Sequence, residues 1–239
     1  MSLRINIGCG QTPTVGWMNV DNSMSLRLAK LPLLPSILYR LRLIHKQQYE
    51  FIQYAKRNKE IEHGNMIKGL PIKDHSVEVL YSSHMLEHLD CAGAGMFCAE
   101  AFRLLKPGGR IRIAVPDLKK MISNYQELGD ADEFVKLTYM CVPSPRTLAQ
   151  RLRFLFVGPR HHQWMYDGSS LVKLLENHGF VRAEIVPPGE TRITGHGELN
   201  LRERHEASVY VEAEKPCQSR GPLHPPLPSV ADRYPAGIG

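Results

Sequence analysis

The chain begins with "LRINIGCGQTPTVGWMNVD", and this stretch limits the fold more than any other. An apolar run, Leu3 to Ile7, meets a small-residue turn, Gly8-Cys9-Gly10. A second strand-like stretch, Met18 to Val20, then ends in Asp21. A strand, a glycine turn and a later acid are the parts of a nucleotide site in an α/β sheet. That plan ordinarily places a helix between the glycines and the acid. Gln11 to Trp17 leaves hardly any room for one. The first helix of this fold is therefore expected to be shortened or absent.

Helical and strand patterns alternate from Leu3 to about Glu214. "EIEHGNM" is a brief strand and turn, and "VEVLYSSHML" is a buried strand running into a helix-like "MLEHL". "MFCAEAFRLLK" has helical spacing and stops at Pro107-Gly108-Gly109; "RIRIAVPDL" alternates like a strand. "SSLVKLLENHGF" is a helix with a stop at Gly179, followed by the strands "RAEIVPPG" and "ASVYVEAEK". Alternation of this kind predicts an α/β fold with a largely parallel, doubly wound sheet. Met24 to Arg57 is mostly helical in pattern, with Pro32 and Pro35 expected to break its first part. Residues 24–60 thus read as a helical insertion or cap. From 216 to 239 the chain is rich in proline and poor in apolar residues, so it reads as a disordered tail behind a domain spanning 1–215.

Composition removes several classes. No run of about 18 uncharged apolar residues exists, so no membrane span is expected. With a strand so early no signal peptide is expected, and the five scattered cysteines form no CxxC pair. A disulfide framework and a cysteine zinc site are not expected, and a reducing cytoplasm is. The net charge of +6 fits an anionic substrate, a nucleic acid or an anionic membrane, and equally a mildly basic enzyme with none of these. No RNA-binding module is visible, so nucleic acid is not expected as a partner. "YRLRLIHK", with Arg40, Arg42 and Lys46 among Leu38, Leu41 and Ile44, fits either a peripheral contact with the inner face of a membrane or a solvated helix face.

Five features in order carry a resemblance: "NIGCG", the strand-end Asp21, "HGNM", "LPIKDHSVEVLYSSHMLEHL" and "EAFRLLKPGGRIRIAVPD". Over roughly Leu3 to Lys215 the chain resembles the class I S-adenosylmethionine-dependent methyltransferases. "GCG" close to "GWMNVD", with "HHQWMYDGSSLVKLLENHGF" later, further resembles the small methyltransferases of bacterial surface-polysaccharide and lipopolysaccharide synthesis. The resemblance implies a Rossmann-like fold with an antiparallel C-terminal strand and S-adenosylmethionine as cofactor. It implies that Gly8 and Gly10 line the methionine part, with Cys9 between them also cofactor-binding, that Asp21 takes the ribose, and that Asn65 and Met66 flank the adenine. Ser82 or Ser83 would lie near the cofactor. The missing helix agrees with this ligand. A dinucleotide sets its pyrophosphate on a helix N-terminus, whereas a positive sulfonium gains nothing there. The insertion from Met24 to Arg57 is the expected replacement wall.

The acceptor is expected to be a small molecule or glycan, with a sugar hydroxyl favoured. Other small metabolites, and a scaffold that binds cofactor without catalysis, remain alternatives. A hydroxyl must lose a proton, which suits histidine. His84, after the fourth strand, is the expected base, with His88 capping or packing one turn on. His84 and His88 frame an HxxEH pattern that invites a zinc reading. With no third ligand apparent, no metal is expected. Asp117 reads either as a group that orients the base or binds acceptor hydroxyls, or as the cap of a helix from Leu118. In "RHHQWMYD", His161 or His162 is expected to touch the acceptor, and Asp167 to cap the next helix.

Overall fold

The computed structural model describes residues 2–58, 60–141 and 161–217. Its centre is one sheet of seven strands: β1 Leu3–Ile7, β2 Met18–Asp21, β3 Ile61–His63, β4 Val77–Ser83, β5 Leu105–Pro116, β6 Val181–Val186 and β7 Ser208–Glu214. The spatial order is β3-β2-β1-β4-β5-β7-β6. β7 runs antiparallel to both of its neighbours, and the other pairings are parallel. This is the expected Rossmann-like α/β fold, and Gly8 to Trp17 contains no helix. Residues 218–239, most of the expected tail, lie outside the described residues.

The helices are α1 Met24–Ala29, α2 Leu34–Arg40, α3 Lys46–Arg57, α4 Cys91–Leu104, α5 Leu118–Leu128, α6 Ala131–Thr138 and α7 Gly168–Asn177. From α4 onward each described helix starts on an aspartate cap. Asp90 accepts from Gly93 N to open α4, and Asp117 accepts from Lys119 N to open α5. Asp167 and Ser170 form a reciprocal capping box at α7. The break expected at Pro32 and Pro35 falls between α1 and α2, with Pro35 in the first turn of α2, where a missing N–H costs nothing. "MLEHL" makes only a 3-10 turn, Leu86–His88, and α4 starts three residues later. His84, with φ +50°, closes β4 in the left-handed region, so His84 and His88 do not share a face of an α-helix.

The two sheet faces differ. Ile5, Ile7, Leu80, Ile111, Ile113, Val115, Val209 and Val211 form the apolar face, packed with Phe97 and Ala101 of α4 and Leu171 and Leu175 of α7. The opposite face carries Asn6, Val79, Tyr81, Arg112, Tyr210 and Glu212. Over Val79 and Tyr81 its cover is the β6–β7 connection, which brings in Ile193 and Leu199 beside Trp17. That cover is pinned by a buried ion pair: Arg112 Nη1 lies 2.5 Å from Glu212 Oε1, with both side chains fully buried. Arg112 also donates to the carbonyls of Glu190 and Leu201, and Glu212 accepts from Thr191 Oγ1 and Arg192 N. The guanidinium lies 4.9 Å from the Tyr210 ring centroid.

Removing one member of such a pair strands the other charge in the interior. Arg112→Met should therefore destabilise the protein by about 3–5 kcal/mol. Arg112→Met combined with Glu212→Leu should recover a large part of that loss. Equilibrium urea unfolding of the three proteins checks both statements.

Candidate active site

A cleft of about 330 Å³ opens at the C-terminal ends of β1 and β2. This is where an open parallel sheet places its ligands. Its floor is the turn after β1. Gly8 has φ +71°, and a Cβ there would stand 2.6 Å from Met85 Cγ, so both backbone and space demand glycine. Gly8 N and Cys9 N both donate to Val20 O. Two buried asparagines then hold the chain where a helix is missing. Asn6 Nδ2 donates to Thr12 O and Thr14 Oγ1. Asn19 accepts from Thr14 N and donates to the carbonyls of Thr14 and Trp17.

Asp21 closes this floor. Its Oδ2 accepts from Gly10 N at 3.1 Å and its Oδ1 from Ser23 N at 2.7 Å. Each carboxylate oxygen keeps a second lone pair for a ligand hydroxyl. Asn65 and Met66 form the far wall. Asn65 Oδ1 accepts from Ile67 N and Lys68 N, so it shapes the turn while lining the cleft. Gly8, Asp21, Asn65 and Met66 are thus brought together around one space, and Gly10 is tied to it through Asp21. Cys9 is turned away into the insertion's core with Leu26, Phe51 and Ile61. Burial, and then the charge of Asp21, push its thiol up to about 12. Ser82 and Ser83 are buried at the end of β4 and are not among the lining residues.

The wall expected from the insertion is present. Met24 and Ser25 of α1 and Gln48 of α3 line the cleft. Ser23 Oγ and Gln48 Oε1 are buried with no partner in the protein. Orphaned polar atoms facing a cleft are what a polar ligand would satisfy. Gln48 was missed in the sequence, although its position carried a signal. It stands three and four residues before Phe51 and Ile52 on the buried stripe of α3, a polar residue in an apolar register.

The expected catalytic residues are placed unequally. Asp117 is buried and used as the α5 cap. His84 Nε2 lies 2.9 Å from Ser208 Oγ, and its Nδ1 is 3.2 Å from Glu87 Oε1. His161 contributes its carbonyl, which accepts from His88 Nδ1 at 3.1 Å. None of these three lines the cleft, whereas His88, expected to cap or pack, does. Glu87, noted in the sequence only as the acid of the HxxEH pattern, is almost fully buried. Its backbone carbonyl receives Gln163 N and Trp164 N, which fastens "HHQW" to the turn after β4. His162 Nε2 comes to 4.0 Å from Glu87 Oε1, and burial lowers the pKa of His162. Arg160 lies outside the described residues.

Residues 5–113 match the family model described as a methyltransferase domain. The chain is 38% identical over 58 residues to a probable S-adenosylmethionine-dependent methyltransferase of Mycolicibacterium smegmatis, covering 24% of this chain and 21% of that protein. It is 32% identical over 85 residues to an uncharacterized transposon protein of Streptomyces fradiae, covering 33% of this chain and 24% of that one. The chain thus spans less than a quarter of the length of either curated relative. In fold it is similar to an S-adenosylmethionine-dependent methyltransferase of Methanosarcina mazei, with TM-score 0.50 and 15% identity over 91% of this chain and 93% of that one. Residues 5–113 thus resemble a methyltransferase domain, and S-adenosylmethionine is the cofactor that this match and the similar proteins imply.

The donor set fits that cofactor: a carboxylate for ribose hydroxyls, free hydroxyl and amide oxygens, and a floor without a phosphate-binding helix. Asp21→Ala removes both backbone clamps and the ligand acceptor. It should weaken S-adenosylmethionine binding by about 1.5–3 kcal/mol. Titration calorimetry measures this, and an unchanged affinity would remove Asp21 from the cofactor site.

Proposed function

We propose that this protein transfers the methyl group of S-adenosylmethionine to a sugar hydroxyl of a glycan or nucleotide-sugar intermediate. The observation that carries the acceptor class is Trp164. Its indole is 43% exposed while its backbone is bound to Glu87, beside the histidine that borders the cleft. An exposed aromatic ring held next to polar side chains suits the apolar face and hydroxyl edge of a sugar. The bound cofactor supplies an electrophilic methyl group. The chain's task is to align the acceptor oxygen and to take its proton.

His88 is the group we assign to the proton. Its Nδ1 is held by the His161 carbonyl, which can only accept, so Nδ1 carries the hydrogen and Nε2 is left basic. His84, first expected as base, is given a positioning role between Ser208 and Glu87. The domain is taken to extend to Lys215, whose ammonium donates to the carbonyls of Phe102 and Leu105.

A place at the inner face of a membrane is part of the proposal, and with it a lipid-linked acceptor. Among the described residues no helix is long and apolar enough to cross a membrane. Leu33, Ile37 and Leu41 are nevertheless 72%, 50% and 62% exposed around α2, next to Arg40 and Arg42. Apolar side chains flanked by arginines favour an anionic lipid surface.

Two measurements test these points. With methyl-labelled cofactor and a panel of nucleotide sugars and lipid-linked glycans, label should appear on a sugar oxygen. His88→Ala should lower turnover by about 10²–10⁴-fold. Transfer to nitrogen, or full activity in His88→Ala, contradicts the assignment. In the second, the protein should sediment with anionic vesicles, and Leu33→Glu with Leu41→Glu should abolish this. Equal sedimentation of both proteins would locate any membrane contact elsewhere.

A further inference from the structure

Beside the cofactor cleft, the donor atoms of Glu87, His88 and His162 lie within 4.8 Å of one another. The geometry points to a divalent transition-metal site made of these three residues, with zinc(II) the ion that best suits it. Two imidazoles and one carboxylate are ligands for such an ion, and three protein ligands leave a position open.

The hydrogen bonds around the cluster argue for a cation at its centre. Both carboxylate oxygens of Glu87 are buried and have no hydrogen-bond partner. A buried carboxylate left so is costly unless a cation lies against it. The histidines do not supply one in their neutral forms. His88 Nδ1 donates to the His161 carbonyl, so its Nε2 is an unprotonated lone pair. Ser208 Oγ spends its proton on the Arg204 carbonyl, so neutral His84 must donate from Nε2 to Ser208 Oγ. His84 Nδ1 is then bare, 3.2 Å from Glu87 Oε1. The His162 Nε2 contact, at 4.0 Å, is too long for a hydrogen bond.

With these histidines neutral, lone pairs meet a carboxylate with nothing positive between them. A metal ion among Glu87, His88 and His162 resolves the conflict with small closing movements. The His161 carbonyl behind His88 is the kind of outer support that fixes a ligating ring and its tautomer. His84 then backs Glu87 and stays outside the ligand set. The sequence expectation of no metal rested on a missing third ligand, and His162 is that residue. His88 lines the cleft, so the open position would face it. A hydroxyl bound there would lose its proton to solvent more readily, and His88, its Nε2 then given to the ion, would contribute as a ligand in place of the base role of the metal-free site. That use rests on the function proposed above; the site itself does not.

Binding is therefore read without acceptor or cofactor. Chelator-treated protein is titrated with zinc(II) by calorimetry and with cobalt(II) by visible absorption. One equivalent should bind, with a cobalt spectrum free of thiolate charge-transfer bands. Magnesium, which prefers oxygen ligands, should not compete. Glu87→Gln and His162→Gln should each weaken zinc binding by about 100-fold or more, since outer-shell losses alone reach 10–100-fold. Zinc should raise the melting temperature of the parent and of Cys141→Ser/Cys217→Ser, but not of the ligand variants. Retained S-adenosylhomocysteine binding identifies variants that are folded. Absence of binding in the parent, equal binding in folded ligand variants, or a thiolate band would each overturn the site.

Discussion

Parallel neighbours in a sheet need a crossover, and a crossover usually carries a helix. Between β1 and β2 the chain has only Gly8 to Trp17. That shortage governs the rest of the structure. Without helical hydrogen bonds the connection must find partners elsewhere, and Asn6 and Asn19 provide them from inside the strands. The sheet also lacks a helix where one would cover its second face. Trp17 turns down onto Val79 and Tyr81, and the β6–β7 connection completes the layer with Ile193 and Leu199. Glu203 joins the two replacements, accepting from Thr12 Oγ1 of the short turn and from Tyr81 Oη of the sheet.

A loop is a poor substitute for a helix because its backbone groups have no internal partners. Charge makes up the difference. Arg112 and Glu212 stand opposite each other on β5 and β7 and project into the loop layer. They answer backbone carbonyls and an N–H that a helix would have satisfied itself. The arrangement adds specificity more than net stability, since buried pairs lose in desolvation much of what they gain in attraction. What it fixes is the path of residues 187–207 across the sheet. The end of that path, Arg204 to Ser208, reaches back to His84 behind the cleft.

The sequence displayed the fold through period and punctuation. β4, α4 and β5 were legible because each carries a long buried apolar register, although α4 gives way to β5 at Leu104 and Pro107-Gly108-Gly109, expected as the helix stop, lies within β5. The cofactor half was legible because its chemistry lies within local motifs: a glycine that admits no Cβ, and an acid at a strand end. The half assigned above to the acceptor resisted reading for the opposite reason. Glu87 and His88 meet His162 only because the turn after β4 folds against a segment more than seventy residues away, through backbone bonds that leave no residue pattern. "MLEHL" misled in the same way. Its spacing is helical, but hydrogen bonds to Gln163 and Trp164 draw Glu87 O outward, and a single 3-10 turn is what remains. Gln48 fell between these cases, visible in the register of α3 and meaningful only once α3 was seen to face a cleft.

The placing of unsatisfied atoms ties these threads to function. A buried polar atom without a partner costs about 1–3 kcal/mol, so a fold keeps few of them. Here, among the described residues, they gather. Apart from Arg112 Nε and His196 Nδ1, the buried side-chain atoms without hydrogen-bond partners belong to Ser23, Gln48, Ser82, Ser83, His84, Glu87, His161 and His162. Ser23 and Gln48 line the cofactor cleft, and the other six lie at the end of β4 or in the turns packed against it. Elsewhere the molecule is scrupulous, down to two asparagines that satisfy a turn from within a sheet. Stability withheld at one end of the strands is stability that a ligand can return by binding. The first group faces the cleft that a polar cofactor would fill, and within the second the Glu87 carboxylate is what the proposed cation would satisfy, so the two halves divide along the same line as their legibility in the sequence.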